Sequence, residues 1–461
     1  MTKIHITALA LLAAGLTACA TPAAPPQVAP AAPAQWQAPL PHQGKVSDLS
    51  AWWQRQGDPL LVRLIARAQD ASPTLAAAAS RLAQSRAARV ASGAALLPTL
   101  DGVASVQRAS AQPPLPMGTT AQAGFQAAWE IDLFGANRAA RDAAQARLEG
   151  AQAGWHAARV SLAAEVANQY YTLRACEQLL AVARQDATSR ADTARLTQLS
   201  ADAGFQAPAA GALARASAAE GRSRATLQSA QCDLDVKSLV ALSAVEEPEL
   251  RRELAASAPV PAPAIAIAAL PARTLSQRPD VFAAERDVAA ASLDVGSERA
   301  QRYPRLSLAG LVGAANFRAD GSSTSLTAWT IGPLALSLPI FDAGRRRANV
   351  DAAVARYEEA VVKYRDSVRQ AVREVEETLV RLQSSLDRTG DAGVALEGYR
   401  AFFSATESRY QNGLASLLEL EDARRTRLAA ENAVVNLQLE RDAAWIALYR
   451  AAGGGWTSAA P

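Results

Sequence analysis

The sequence predicts a mainly α-helical chain with a small β part, built from two copies of one unit. Three observations predict it. Two Pro-free stretches, residues 136–200 and 345–411, are too long to be ordinary globular helices. Ahead of each lie segments that alternate apolar and polar residues with period two, the mark of strands with one apolar face. Landmarks then recur at a nearly constant offset. Leu97-Pro98 matches Tyr303-Pro304, Phe134 matches Phe341 and Gly204 matches Gly413, 206 to 209 residues apart, which marks an internal duplication.

In chain order, Lys3 precedes an apolar run over residues 4–16 that is too short to span as a helix. Residues 1–18 therefore read as a secretory signal. The run ends Leu16-Thr17-Ala18-Cys19, which resembles the bacterial lipobox, where the Cys is acylated and becomes the mature N-terminus. Cys19 is thus the expected lipid attachment site, a palmitate-type modification, and covalent lipid is the only cofactor expected. Ala20 follows, not the Asp that commonly favours inner-membrane retention in such lipoproteins, so the expected location is a Gram-negative outer membrane. Each buried CH₂ of an acyl chain contributes about 0.8 kcal/mol, and more than one chain makes the attachment stable. Residues 19–49 are Ala/Pro-rich without an apolar face and read as a tether.

Composition bounds the remainder. Of 461 residues 50% are hydrophobic and only 5% aromatic, with a net charge of +3. Much of the apolar fraction is Ala, which favours helix. The near-neutral balance and the lack of a basic block argue against a nucleic-acid partner. Beyond the signal, no apolar run is long enough for a transmembrane helix.

The first repeat, residues 50–246, opens at Asp58-Pro59-Leu60. Residues 100–108 are a weak strand candidate, joined through a Pro-rich loop to residues 122–134. There Ala123, Phe125, Ala127, Trp129, Ile131 and Leu133 form one face. The long helix then turns back at Ala203-Gly204-Phe205 into a helix ending near Leu242. Residues 247–271, rich in Pro and Ala, read as a connector. The second repeat, residues 272–453, has strands at 305–317 and 326–341, the latter alternating through Leu334, Leu336, Leu338 and Ile340. In its long helix Val350, Val354, Tyr357, Val361, Tyr364, Val368, Val372 and Val375 step by three and four, which argues coiled-coil packing. Asn412-Gly413-Leu414 turns it back, and residues 454–461 form a tail. A helix of about 65 residues is a rod roughly 100 Å long, against a radius of gyration of ~23 Å for a compact chain of this length, so an elongated molecule is expected. Four strands are too few to close a barrel, and an open edge cannot sit in lipid. Either the strands lie on a soluble core or several chains pool them; pooling is the reading adopted.

Leu275, Arg278-Pro279-Asp280-Val281, Ala284-Glu285, Gly296, Ala300 and Tyr303-Pro304 resemble the signature of TolC-like outer-membrane factors, in particular the NodT-type efflux lipoproteins. Trp129-Glu130-Ile131-Asp132-Leu133-Phe134-Gly135 and Leu338-Pro339-Ile340-Phe341 match that family's two strand-to-helix junctions, and the resemblance covers the chain after the tether. It implies a homotrimer in which each chain gives four strands to one twelve-stranded transmembrane β-barrel, the helical hairpins forming a periplasmic α-barrel. It implies as partners a periplasmic adaptor protein and an inner-membrane pump of the RND type, besides outer-membrane lipid. The adaptor-facing tips would be Gly204, Phe205, Gly413 and Leu414. Leu418 and Asp422 match the positions of apolar and carboxylate rings that narrow the periplasmic end; three carboxylates brought close repel, so ion pairs to Arg424 or Arg425 of a neighbouring subunit, or a bound cation, would have to offset that. The first tip, Gly204-Phe205-Gln206-Ala207-Pro208-Ala209, departs from the family's acid-rich turn; Glu419 and Asp422 supply acid only at the second.

Catalysis is not expected. His5 lies in the signal, His42 in the tether and His156 on a helix without a visible partner, and no phosphate loop or zinc spacing occurs. Carboxylates such as Glu376, Glu377 and Glu431 read as solvated or paired with Arg. Cys176 and Cys232 lie 28 residues before and after Gly204. In a hairpin turning at that Gly both sit ~42 Å from the tip. In an oxidising compartment they are expected to pair if their Cβ vectors converge. The leading function is the exit duct of a tripartite efflux system passing small molecules such as drugs. A duct for type I protein secretion and a pore-less coiled-coil lipoprotein are the alternatives.

Overall fold

The computed structural model describes residues 33, 36–37, 52–55, 57–110, 117–258, 260 and 275–456. Cys19, the signal and most of the tether lie outside the described residues. The chain divides into two compact units. Among the described residues, one comprises 79–110, 117–152 and 282–366; the other comprises 33, 36–37, 52–55, 57–78, 153–258, 260, 275–281 and 367–456.

The first unit holds the sheet. Strands β1 (Thr99–Ala109), β2 (Gly118–Ile131), β3 (Arg305–Ala319) and β4 (Ser322–Ser337) pair antiparallel in the order β1-β2-β3-β4. The sheet is open, so β1 and β4 each pair on one side only among the described residues. Opposed residues share a face, and the register carries Phe125 beside Gly102 and Val312, with Trp329 beyond. One face therefore collects Leu100, Val106, Phe125, Trp129, Ile131, Leu306, Leu308, Val312, Trp329, Ile331, Leu334 and Leu336, with Arg108, Asn316 and Arg318 at the end of that face farther from Ile131. The other collects Asp101, Ser105, Gln107, Gln122, Gln126, Glu130, Ser307 and Thr330, interrupted by Val103, Leu311, Phe317 and Leu326. The apolar face is uncovered in the single chain, with Trp329 71% and Ile331 80% exposed.

The strands expected at 122–134 and 326–341 begin earlier, at Gly118 and Ser322, and also end earlier than the sequence expectation. The segments expected at 122–134 and 326–341 end as strands at Ile131 and Ser337. Pro339 has no N–H for the ladder, and the residues after each strand are committed to starting a helix. Asp132 accepts from the N–H groups of Asn137 (3.2 Å) and Arg138 (2.9 Å). Asp342 accepts from those of Gly344 (3.1 Å) and Arg346 (3.3 Å), and from the Arg346 guanidinium (2.9 Å). Orphan donors at a helix start are thus satisfied in the same way in both halves. Helix α4 (Ala136–Asp202) and its counterpart Arg345–Gln411 follow, each of 67 residues. In the unit holding the sheet, α4 packs Ala143 and Ala146 against Ala290 of helix Pro279–Ala300, whose Ser297 hydroxyl donates to the Ala136 carbonyl at 3.0 Å. Small side chains permit such close approach.

The second unit holds the main core. After α1 (Trp52–Arg55), helix α2 (Pro59–Ala71) starts at Asp58, whose Oδ1 accepts from the N–H groups of Leu60 and Leu61. Its Leu60, Leu61, Leu64 and Ile65 bury against Tyr170, Leu173, Leu239, Leu379, Ile446 and Leu448. Trp52 stacks on Tyr449 at 4.8 Å. α3 (Pro73–Ala94) leads on to β1. The expected connector contains a helix, α6 (Glu247–Ala256), following α5 (Pro208–Ser243). Pro248 at its first turn and Glu247 and Glu249 beside it favour a helix start, and Leu250 and Leu254 bury in the core. The Pro/Ala bias had obscured that apolar spacing of four. The remaining helices are α7 (Pro279–Ala300), α8 (Arg345–Gln411) and α9 (Leu417–Ala451).

Candidate functional site

Each hairpin tip ends its long helix in the same way. Phe205 N–H donates to Ser200 C=O and Gly204 N–H to Ala201 C=O; Leu414 N–H donates to Arg409 C=O and Gly413 N–H to Tyr410 C=O. This pair of reverse bonds needs a left-handed residue at the penultimate position, and Gly204 (φ +80°) and Gly413 (φ +71°) supply it. The return helices begin later than expected, at Pro208 and Leu417, because each turn is followed by a separate helix start.

The two starts differ. Ala207 gives α5 no side-chain cap. Ser416 gives α9 a capping box: its hydroxyl accepts from Glu419 N–H (3.2 Å) while the Glu419 carboxylate accepts from Ser416 N–H (2.7 Å). That backbone bond, then the Ser416 hydroxyl, holds the Glu419 carboxyl below its ordinary value. The acid that departs from the first tip is therefore bound into the backbone of the second.

Phe205, Leu414 and Leu418 are exposed at the tips, at 86, 68 and 73%. Asp422 lies one turn beyond Leu418 and pairs with Arg425 of its own chain, both side chains more than half exposed. Arg424 cannot serve as a counter-charge for a neighbour's Asp422. It is fully buried, bonded to Glu421 (2.6 Å), Ser189 (3.0 Å) and Thr193 (2.9 Å). Burial lowers its pKa from the usual arginine value.

Arg424 belongs to a buried polar cluster that the sequence did not reveal. Arg190 bonds Asp186 at 2.8 Å, Ser217, and Glu421, so α4, α5 and α9 are tied together. Arg427 lies 4.0 Å from the Phe403 ring centroid of α8, Arg400 pairs with Glu431 at 3.0 Å, and the Tyr410 and Thr197 hydroxyls are 2.6 Å apart. Removing one partner from such a set leaves an uncompensated buried charge, which is costly. The arginines 190, 424 and 427 are spaced like solvated helix residues, so only the packing identifies them.

Farther along the same hairpin Cys176 and Cys232 form a disulfide, with Cα atoms 5.5 Å apart. Arg278, noted in sequence for its place before Pro279-Asp280, is buried. It pairs with Asp280 (2.6 Å) and Glu374 (2.9 Å) and donates to Ala451 C=O (3.0 Å), clamping the start of α7 to α8 and α9. His156 is half-buried beside Arg159, and burial, then that charge, lowers its pKa. Among the described residues no group of three His, Cys, Asp or Glu could hold a metal, and no helix is long and apolar enough to cross a membrane.

A family model described as outer membrane efflux protein matches residues 64–244 and 270–454. A solvent efflux pump outer membrane protein of Pseudomonas putida, SrpC, is 31% identical over 87% of this chain and 86% of its own. A pyoverdine export outer membrane protein of Pseudomonas putida, OpmQ, is 32% identical over 98% of this chain and 97% of its own. Among solved structures, the outer-membrane channel OprN superposes with a TM-score of 0.82 at 28% identity, covering 94% of this chain and 99% of that one.

Proposed function

The chain belongs to the outer membrane efflux protein family, and from that premise we propose that three copies form the exit duct of a tripartite efflux system. As an efflux component of the outer membrane extending into the periplasm, it is a transporter part. The observation that carries the trimeric reading is the sheet: four strands, both edges open, one face apolar and one polar. Unpaired edge groups cost several kcal/mol each in hydrocarbon, so a sheet in lipid must close. Three copies joined β1 to β4 would close twelve strands. The apolar face would then meet lipid, and Asp101, Gln126 and Glu130 would line a wet lumen, as in transmembrane barrels.

In this arrangement the internally duplicated hairpins build a periplasmic α-barrel, and Phe205 and Leu414 offer apolar contact to a periplasmic adaptor. Leu418 and Asp422 narrow the tip end at rest. Like charges brought together repel; Arg425, paired with Asp422 within the chain, offsets that in each subunit. A lipid on Cys19 adds an anchor. The driving energy comes from an inner-membrane pump of the RND type, and the cargo is small molecules, drugs among them. The names of the relatives, solvent efflux and pyoverdine export, support that class.

A deletion strain tests this reading. It should become several-fold more sensitive to exported drugs, with an unchanged set of secreted proteins, and complementation should restore resistance. Lost secreted proteins with unaltered drug sensitivity would place the duct in protein secretion instead.

A further inference from the structure

One end of the sheet carries an unneutralised basic collar. The register places Thr99, Ile131, Leu306 and Ser337 at this end. The segments leaving the sheet there, residues 95–98, 132–138, 299–304 and 338–347, hold six arginines against Asp132 and Asp342. Both aspartates are already engaged, Asp132 with Arg138 and Asp342 with Arg346, besides the helix-starting N–H groups. Arg302, Arg345 and Arg347 are exposed and make no ion pair among the described residues.

Between the sheet and these guanidinium groups lies exposed apolar and aromatic surface. Leu338, Ile340 and Phe341 are 55, 90 and 89% exposed. The Trp129 indole N–H donates to Leu96 C=O at 3.1 Å, and Phe134 stacks on Tyr303 at 5.0 Å. Moving off the sheet, one passes from an apolar face to aromatic rings and then to free positive charge. That sequence of surfaces matches the change from hydrocarbon to headgroup at a membrane boundary.

We propose that Arg302, Arg345 and Arg347, with the apolar collar of Leu338, Ile340 and Phe341, bind anionic phospholipid headgroups of the leaflet on the helical side of the membrane. The inference rests on the reading that this sheet crosses the outer membrane. Charge complementarity selects the occupant. Exposed, unpaired positive charges attract a headgroup of net negative charge more than a zwitterionic one. A soluble anion would satisfy the arginines but leave Ile340 and Phe341 in water. A phospholipid supplies a phosphodiester for the first and acyl chains for the second.

Native mass spectrometry of the detergent-solubilised protein, titrated in turn with phosphatidylglycerol, phosphatidylethanolamine and lipid A, tests it. Wild-type trimers should retain phosphatidylglycerol several-fold more than phosphatidylethanolamine. The triple variant Arg302→Gln, Arg345→Gln, Arg347→Gln should lower phosphatidylglycerol occupancy roughly ten-fold or more, given the attraction expected of each basic residue at an anionic surface. The corresponding triple Lys variant should keep most of it. Arg108→Gln with Arg318→Gln, at the other end of the sheet, should change nothing. Equal retention of the two phospholipids by wild type, preference for lipid A, or a triple Gln variant that binds like wild type would each overturn the proposal. If the triple Gln variant does not assemble, the wild-type preference and the Lys variant decide. A wild-type protein that runs as a monomer would instead remove the barrel reading beneath it.

Discussion

Arg278 was visible in the sequence only as the residue before a helix-starting Pro279-Asp280, an unremarkable pattern. Its burial and three partners give it a role that spacing could not show, since Glu374 and Ala451 lie 96 and 173 residues away. Arg278→Ala should destabilise the protein by about 2 kcal/mol, because it removes a buried guanidinium and its charge-assisted hydrogen bonds while Asp280 and Glu374, partly exposed, regain water; urea unfolding of the solubilised protein would read this, and no measurable loss would contradict it. Cys176 and Cys232 were legible for the opposite reason. Their equal distance from Gly204 is a local property of one hairpin. Peptide mapping without reduction should recover them linked, and Cys232→Ser should cost up to about 4 kcal/mol for a loop of this length on the chain-entropy model. Two free thiols in periplasm-derived protein would be the contrary result. Arg190, Arg424 and Arg427 stayed illegible because helix-spaced arginines look the same whether they face water or a neighbouring helix.

At the scale of elements, the long helices and the strand pairs were readable because each follows one period over many residues. Their ends were less so. Alternation continues through Leu338 and Ile340, yet Pro339 and the helix-starting Asp342 end the strand at Ser337. The helix Glu247–Ala256 was hidden by composition, as Leu250 and Leu254 are its only large apolar residues to reach the core. The tips make a prediction of their own. Ser416→Ala should cost about 1 kcal/mol at the start of the second return helix, whereas Ala207 at the first has no cap to lose. Because the folded Glu419 carboxyl lies below its ordinary value, its contribution is present above the usual Glu range. It should be fully present above that range, fade as pH falls through it, and be gone below the lowered folded value. Amide exchange at Ser416 and Glu419 against pH would show this; protection that stays unchanged to below the folded value, or that is lost above the ordinary Glu range, would not fit.

For the whole molecule, sequence alone led from four strands and a forbidden edge to an assembly of several chains, and the open sheet with opposed faces gives that inference its geometry. In the proposed trimer the same symmetry would bring Leu418 and Asp422 of three tips together. Leu418→Ala with Asp422→Ala should raise resting conductance and sensitise cells to large antibiotics such as vancomycin, and unchanged conductance in an assembled double variant would place the constriction elsewhere. The central claim is that three copies make one water-filled duct. Single-channel recording in planar bilayers, on protein whose mass in the same detergent has been measured, tests it most directly. Trimers should insert as one discrete conducting unit, with larger and more frequent openings in the Leu418→Ala, Asp422→Ala variant. A folded monomer with its full strand content, or trimers that insert without conducting in either form, would contradict it.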